Sequence, residues 1–259
     1  MGRFKELFAP KDMTEGTPWK RIVEFSIPLL IGNIAQQFYN TADSIIVGKY
    51  VGDNALAAVG SSAPILNLLL VLFVGISSGA GIMVSQYFGA KDREKLSRTI
   101  GICVTLTAIA SVIIMIIGPV LTRPLLKLLN TPDSIIDWCS SYLIIYFLGI
   151  SGFAYYNILA GVLRGLGDSI SSLVFLLIAT ALNVVLDLWF VAGLNMGVPG
   201  VALATIIAQG VSAALCLMKL VKMKDTFDLN LKMLKPMKEY SARLIKLGLP
   251  TGLTQGIFS

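Results

Sequence analysis

Six long apolar segments dominate this chain, near residues 22–47, 54–88, 99–121, 134–161, 170–192 and 198–219. A run of about 20 apolar residues is long enough to cross the hydrocarbon of a bilayer. Hydrocarbon offers the backbone no hydrogen-bond partners, so a crossing must be a helix or part of a closed barrel. The alternating ten-residue strands of a barrel are absent. Charged residues make up only 14% of the chain and hydrophobic ones 55%, where a soluble domain carries about 25% charge. The predicted fold class is an all-α integral membrane protein. The second and fourth segments exceed the length of a straight span, which predicts tilt or extra turns beyond the lipid.

Lys and Arg sort by side. Eighteen of the 21 lie before the first segment, after the second, after the fourth or after the sixth. The other side holds Lys49, Arg123 and Lys127. The positive-inside rule then places the N-terminus in the cytoplasm, with the chain multi-pass in the cell membrane. The net charge of +6 is thus a topology signal and argues against nucleic-acid binding. No apolar h-region of a cleavable signal peptide opens the chain. There is no histidine, which removes His-based acid–base chemistry and Ser–His or Cys–His nucleophiles. Neither a paired Glu motif nor a Ser–Lys pair falls within a segment, so an enzyme is not expected. Cys103, Cys139 and Cys216 lie in separate segments and read as small buried hydrophobes.

Two carboxylates stand against the apolar background. Asp43 lies in IAQQFYNTADSIIVG and Asp187 in ALNVVLDLWFVAG. A charge at membrane depth is costly and usually has a partner or a task. Asn183 is one helical turn from Asp187 on the same face. Helix rise puts Asp43, Asp187 and Thr205 roughly 7–10 Å below the outer surface, on three different helices. Carboxylates that share a cavity titrate together, and a proton or small cation relieves their repulsion. Asp43, Asn183, Asp187 and Thr205 form an oxygen set suited to a hard alkali cation such as Na⁺. The plain structural alternative is an Asp–Asn hydrogen-bond staple between helices. Asn33, Gln36, Gln37 and Asn40 form one stripe along the first segment, lining a cavity or binding a neighbouring helix. Tyr142 and Asn157 of the fourth segment are further cavity candidates. Pro28 and Pro64 are candidate bends.

After the sixth segment, LNLKMLKPMKEYSARL reads as a basic connector on the headgroups or a solvated linker. The pattern then restarts: RIVEFSIP at 21–28 has an echo in RLIKLGLP at 243–250. Repeats of this size are common in transporters built from two halves. The predicted organisation is a cytoplasmic segment (1–21), a six-helix lobe (22–219), a basic connector (220–243) and a truncated first helix of a second repeat (244–259).

Several stretches resemble the N-terminal half of multidrug and toxic compound extrusion (MATE) transporters. They are NTADSIIVGKYVGDNALAAVG (40–60), SQYFGAKD (85–92), LRGLGDS (163–169), LNVVLD (182–187) and GVPGVALATIIAQ (197–209). Ser169 stands where threonine is commoner. The resemblance implies one six-helix lobe of a 6+6 fold around a cavity with alternating access. It implies export of organic cations or drugs in exchange for Na⁺ or H⁺, with no other cofactor. It assigns Asp43, Asn183, Asp187 and Thr205 to a cation or proton site, with Tyr142 and Asn157 matched less closely. The expected partners are a drug, the lipid bilayer and a missing C-terminal lobe. Two other expectations differ in class: a flippase for lipid-linked sugars or peptidoglycan precursors, and a non-transporting half that serves in assembly. The flippase predicts cavity-lining bases, and the sequence places none in mid-segment.

Overall fold

The computed structural model describes residues 17–223, 225–228 and 230–258. Most of the expected N-terminal segment, residues 1–16, lies outside the described residues. The helices are α1 (Pro18–Tyr50), α2 (Asp53–Gly89), α3 (Arg93–Leu128), α4 (Asp133–Leu148), α5 (Ile150–Gly165), α6 (Ser169–Asp187), α7 (Val198–Val221) and α8 (Lys238–Phe258). A π-helical turn, Leu188–Gly193, prolongs α6, and a 3₁₀ turn, Leu231–Leu234, precedes α8. No strand occurs among the described residues. Four helices are long and apolar enough to cross a membrane: α2, α3, α6 with its π turn, and α7. α4 and α5 together make a fifth. α1 has the length, at 33 residues, but its polar run from Asn33 to Ser44 lowers its hydropathy.

The fourth segment, expected over 134–161 with tilt or extra turns, is two helices. It breaks at Gly149, and the two halves meet at a bend of 53°. The cause lies on α7. A Cβ on Gly149 would stand 2.5 Å from the Ile206 side chain, and one on Gly152 would stand 2.8 Å from the Gly210 backbone nitrogen. Residues without a Cβ let α7 press into the break. Pro28 and Pro64, by contrast, sit inside helices that run on through them.

Two interhelical loops are held by acidic caps. Asp92 accepts the Lys95 N–H at 3.1 Å and pairs with the Lys95 ammonium at 2.9 Å. These contacts hold its carboxyl below the usual carboxylate range. Asp168 accepts the Ser171 N–H at 2.9 Å and its hydroxyl at 2.7 Å, and also pairs with Lys219. Gly167 supplies the left-handed turn before Asp168, at φ +83°.

Packing gathers in layers. Phe73, Leu143, Phe147, Ile150, Val201 and Ala202 join α2, α4, α5 and α7 in the main cluster. A second cluster around Leu96, Leu163, Leu166, Cys216 and Phe227 closes the opposite end. The connector docks along α3. Arg93 binds Asp228 at 2.9 Å and the Asp225 carbonyl at 2.9 Å. The Asp228 N–H donates to Ser97 at 2.9 Å, and Thr105 donates to the Leu234 carbonyl at 2.7 Å. Met233 packs on Gly101 without room for a side chain there. Positions 93, 97, 101 and 105 share one helix face, so the whole strap is read by a single stripe. It leads into α8, whose Gly248 and Gly252 meet Gly75 and Gly79 of α2 backbone to backbone.

Candidate cation site

Three helices present polar side chains one turn apart, a spacing that aims both members of each pair at one side. α1 offers Tyr39 and Asp43, and α6 offers Asn183 and Asp187. α7 offers Thr205 and, a turn further on, Gln209. All six are buried, with Asn183 and Asp187 at 0% exposure. Thr205 is the meeting point. Its Oγ1 accepts the Tyr39 hydroxyl at 3.1 Å and the Asn183 Nδ2 at 3.5 Å, a long contact.

The carboxylates of Asp43 and Asp187 lie within interaction range of each other. Yet Asp43 Oδ1, both Asp187 oxygens, Asn183 Oδ1 and Gln209 Oε1 have no hydrogen-bond partner among the described residues. Buried polar atoms are nearly always satisfied. A cluster of acceptors that lacks donors can bind protons or a hard cation. Among the described residues no group of three or more His, Cys, Asp or Glu is placed to hold a metal ion. Asp187 is also the last residue before the α6 backbone widens into the π turn. Such π segments are frequent at functional sites.

The four residues of the expected cation set are brought together. Tyr142 is buried beside them, in electrostatic range of both acids. Gln36 is only partly buried and Asn40 is exposed, its amide directed at Gln37 at 3.5 Å. Asn33 and Gln37 are exposed as well, so the stripe is largely open while the acids are buried. Asn157 lies elsewhere: its amide donates to the Phe153 carbonyl at 2.9 Å, and its own carbonyl accepts Ser77 at 2.6 Å. The sequence reading missed Tyr39, Tyr146 and Gln209. Tyr39 and Gln209 each stand four residues from a recognised member, which is the signal that could have found them. Tyr146 stands four from Tyr142, with ring centroids 6.2 Å apart.

Membrane-length helices around a buried pair of acids define an all-helical membrane protein with a polar cluster inside its bundle. Residues 28–189 match the MatE family model, and the chain belongs to that family. It is 35% identical over 242 residues to the probable multidrug resistance protein YpnP of Bacillus subtilis. That match covers 93% of this chain and 54% of YpnP. Its fold is similar to a MATE crystal structure in the bent conformation, with a TM-score of 0.86 at 30% identity. An outward-facing multidrug resistance MATE family transporter matches with a TM-score of 0.86 at 29% identity. They cover 93% of this chain and 54% and 53% of those chains. The chain therefore spans about half the length of the relatives it matches.

Proposed function

We propose that this chain forms the N-terminal lobe of a cation-coupled multidrug antiporter that exports organic cations by alternating access. The carrying observation is the buried cluster of Asp43, Asn183 and Asp187, whose unpartnered oxygens suit Na⁺ or H⁺. Two facing carboxylates repel, and a proton or Na⁺ between them relieves that repulsion. Binding of the coupling ion draws α1 toward α6 and favours the cavity state that releases drug. Asn183 Oδ1 joins the carboxylates as a neutral ligand, while its Nδ2 stays with Thr205. Thr205, already accepting two donors, orients Asn183 and Tyr39. It becomes a ligand itself only when one donor lets go.

The exposed stripe of Asn33, Gln37 and Asn40 supports a water-filled cavity beside α1, where a second lobe would face it. The lobe sits in the plasma membrane with its N-terminus in the cytoplasm, a reading carried by the bias of basic residues. The test is Asp187→Asn in the full-length protein, reconstituted in vesicles with a Na⁺ or pH gradient. Gradient-driven drug efflux is expected to be lost while the protein still inserts. Efflux at the native rate in that variant overturns the coupling role.

A further inference from the structure

A second cavity, of about 500 Å³, opens at the end of the bundle where α2 and α5 terminate. Glycines create it. A Cβ on Gly165 would stand 2.7 Å from the Gly81 carbonyl, and one on Gly81 would stand 3.2 Å from that of Gly161. The helices therefore touch through their backbones, and open space remains beside the contact. Arg164 projects into that space, partly buried.

Among the described residues it donates one hydrogen bond, to Ser77 Oγ at 3.3 Å. That hydroxyl is already committed as a donor to the Asn157 carbonyl. A guanidinium carries five N–H donors, so most of its capacity is unspent. No carboxylate pairs with Arg164 among the described residues. The nearest acid along the chain, Asp168, is held by Lys219 and Ser171. Nor does Arg164 serve as a cap for α5. The terminal carbonyls of Val162, Leu163 and Arg164 are taken by the backbone N–H groups of Leu166, Asp168 and Gly167. The rest of the wall is largely apolar, with Phe25, Leu29, Ile82 and Phe88, and Ser78 and Ser85 add hydroxyls.

We propose that this cavity binds the phosphate of an anionic phospholipid. The Arg164 fork holds two phosphate oxygens, which its planar geometry matches. Phe25, Leu29, Ile82 and Phe88 hold the start of an acyl chain. A lipid, rather than free phosphate, is favoured by these apolar walls. Lys91, in the α2–α3 loop at the same end, would draw acidic lipid toward the opening.

Native mass spectrometry of the full chain released from detergent tests this, with phosphatidylglycerol, phosphatidylcholine and inorganic phosphate as the probes. The expected result is phosphatidylglycerol retained about tenfold better than phosphatidylcholine, the scale of one charge-assisted contact. Arg164→Gln is expected to abolish that preference and Arg164→Lys to keep part of it. Ile82→Trp, which leaves Arg164 in place and fills the cavity, is expected to reduce retention of the lipid and serves as the readout if Arg164→Gln fails to fold. Equal retention of the two lipids by the native chain, undiminished preference in Arg164→Gln, or no effect of Ile82→Trp would each overturn the proposal. Phosphate competing as strongly as phosphatidylglycerol overturns the lipid assignment.

Discussion

At Thr205 one oxygen serves two donors from two other helices, and this makes it the most sensitive single position in the cluster. Thr205→Val keeps the shape and removes the acceptor. The Tyr39 hydroxyl and the Asn183 amide are then both buried without it. Each orphaned group costs about 1–3 kcal/mol. A clear fall in thermal stability is expected in detergent, and Thr205→Ser is expected to restore most of it. An unchanged melting temperature in Thr205→Val would remove Thr205 from the hub role. The acids were readable from sequence because a charge stands out in an apolar run. Tyr39 was not, because an aromatic residue is ordinary there. Its role depends on which helix its hydroxyl reaches.

Among the elements, the break between α4 and α5 and the strap along α3 lend themselves to measurement. Gly149→Ala forces a methyl against Ile206 and should destabilise by about 1–3 kcal/mol, the usual cost of overpacking. Adding Ile206→Ala should recover part of that loss, because the two changes share one contact. Additive losses in a double-mutant cycle would show that the bend has another cause. The strap rests on Asp228, whose carboxyl Arg93 holds below the usual range. A group with a lowered folded pKa contributes above its unfolded pKa, near 4, and loses that contribution as pH falls through the folded value. Hydrogen exchange in residues 225–234 should therefore speed up at acid pH beyond its intrinsic pH dependence. Asp228→Asn should show the faster exchange already at pH 7. No difference between the variant and the native chain at pH 7 would mean that the backbone contacts at Ser97 and Thr105 hold the strap by themselves. The repeat and the basic composition told of a connector here. Its docking on α3 was hidden, since Ser97, Gly101 and Thr105 look like ordinary positions of an apolar helix.

Across the whole molecule, the orientation of the lobe can be read chemically. Cys103, Cys139 and Cys216 are all buried, so an introduced surface cysteine supplies the signal. Lys91→Cys, in the loop between α2 and α3, should react with a membrane-impermeant thiol reagent only after cells are opened. Asn130→Cys, between α3 and α4, should react in intact cells. The reverse pattern would invert the topology drawn from the charge bias.

Sequence alone determined that the chain is an all-helical membrane protein, and that Asp43, Asn183, Asp187 and Thr205 merit attention. Apolar length and the cost of a charge in lipid are local quantities, and a linear reading captures them. Tertiary structure decided what meets what. It bent the fourth span at Gly149, left Asn33, Gln37 and Asn40 exposed while burying the acids, and brought Tyr39 to Thr205. It also left Arg164 facing a cavity without a carboxylate among the described residues. The reason is geometric: these outcomes depend on how closely two backbones approach. That approach is set by glycines on one helix and the side chains opposite them on another, far apart in the chain.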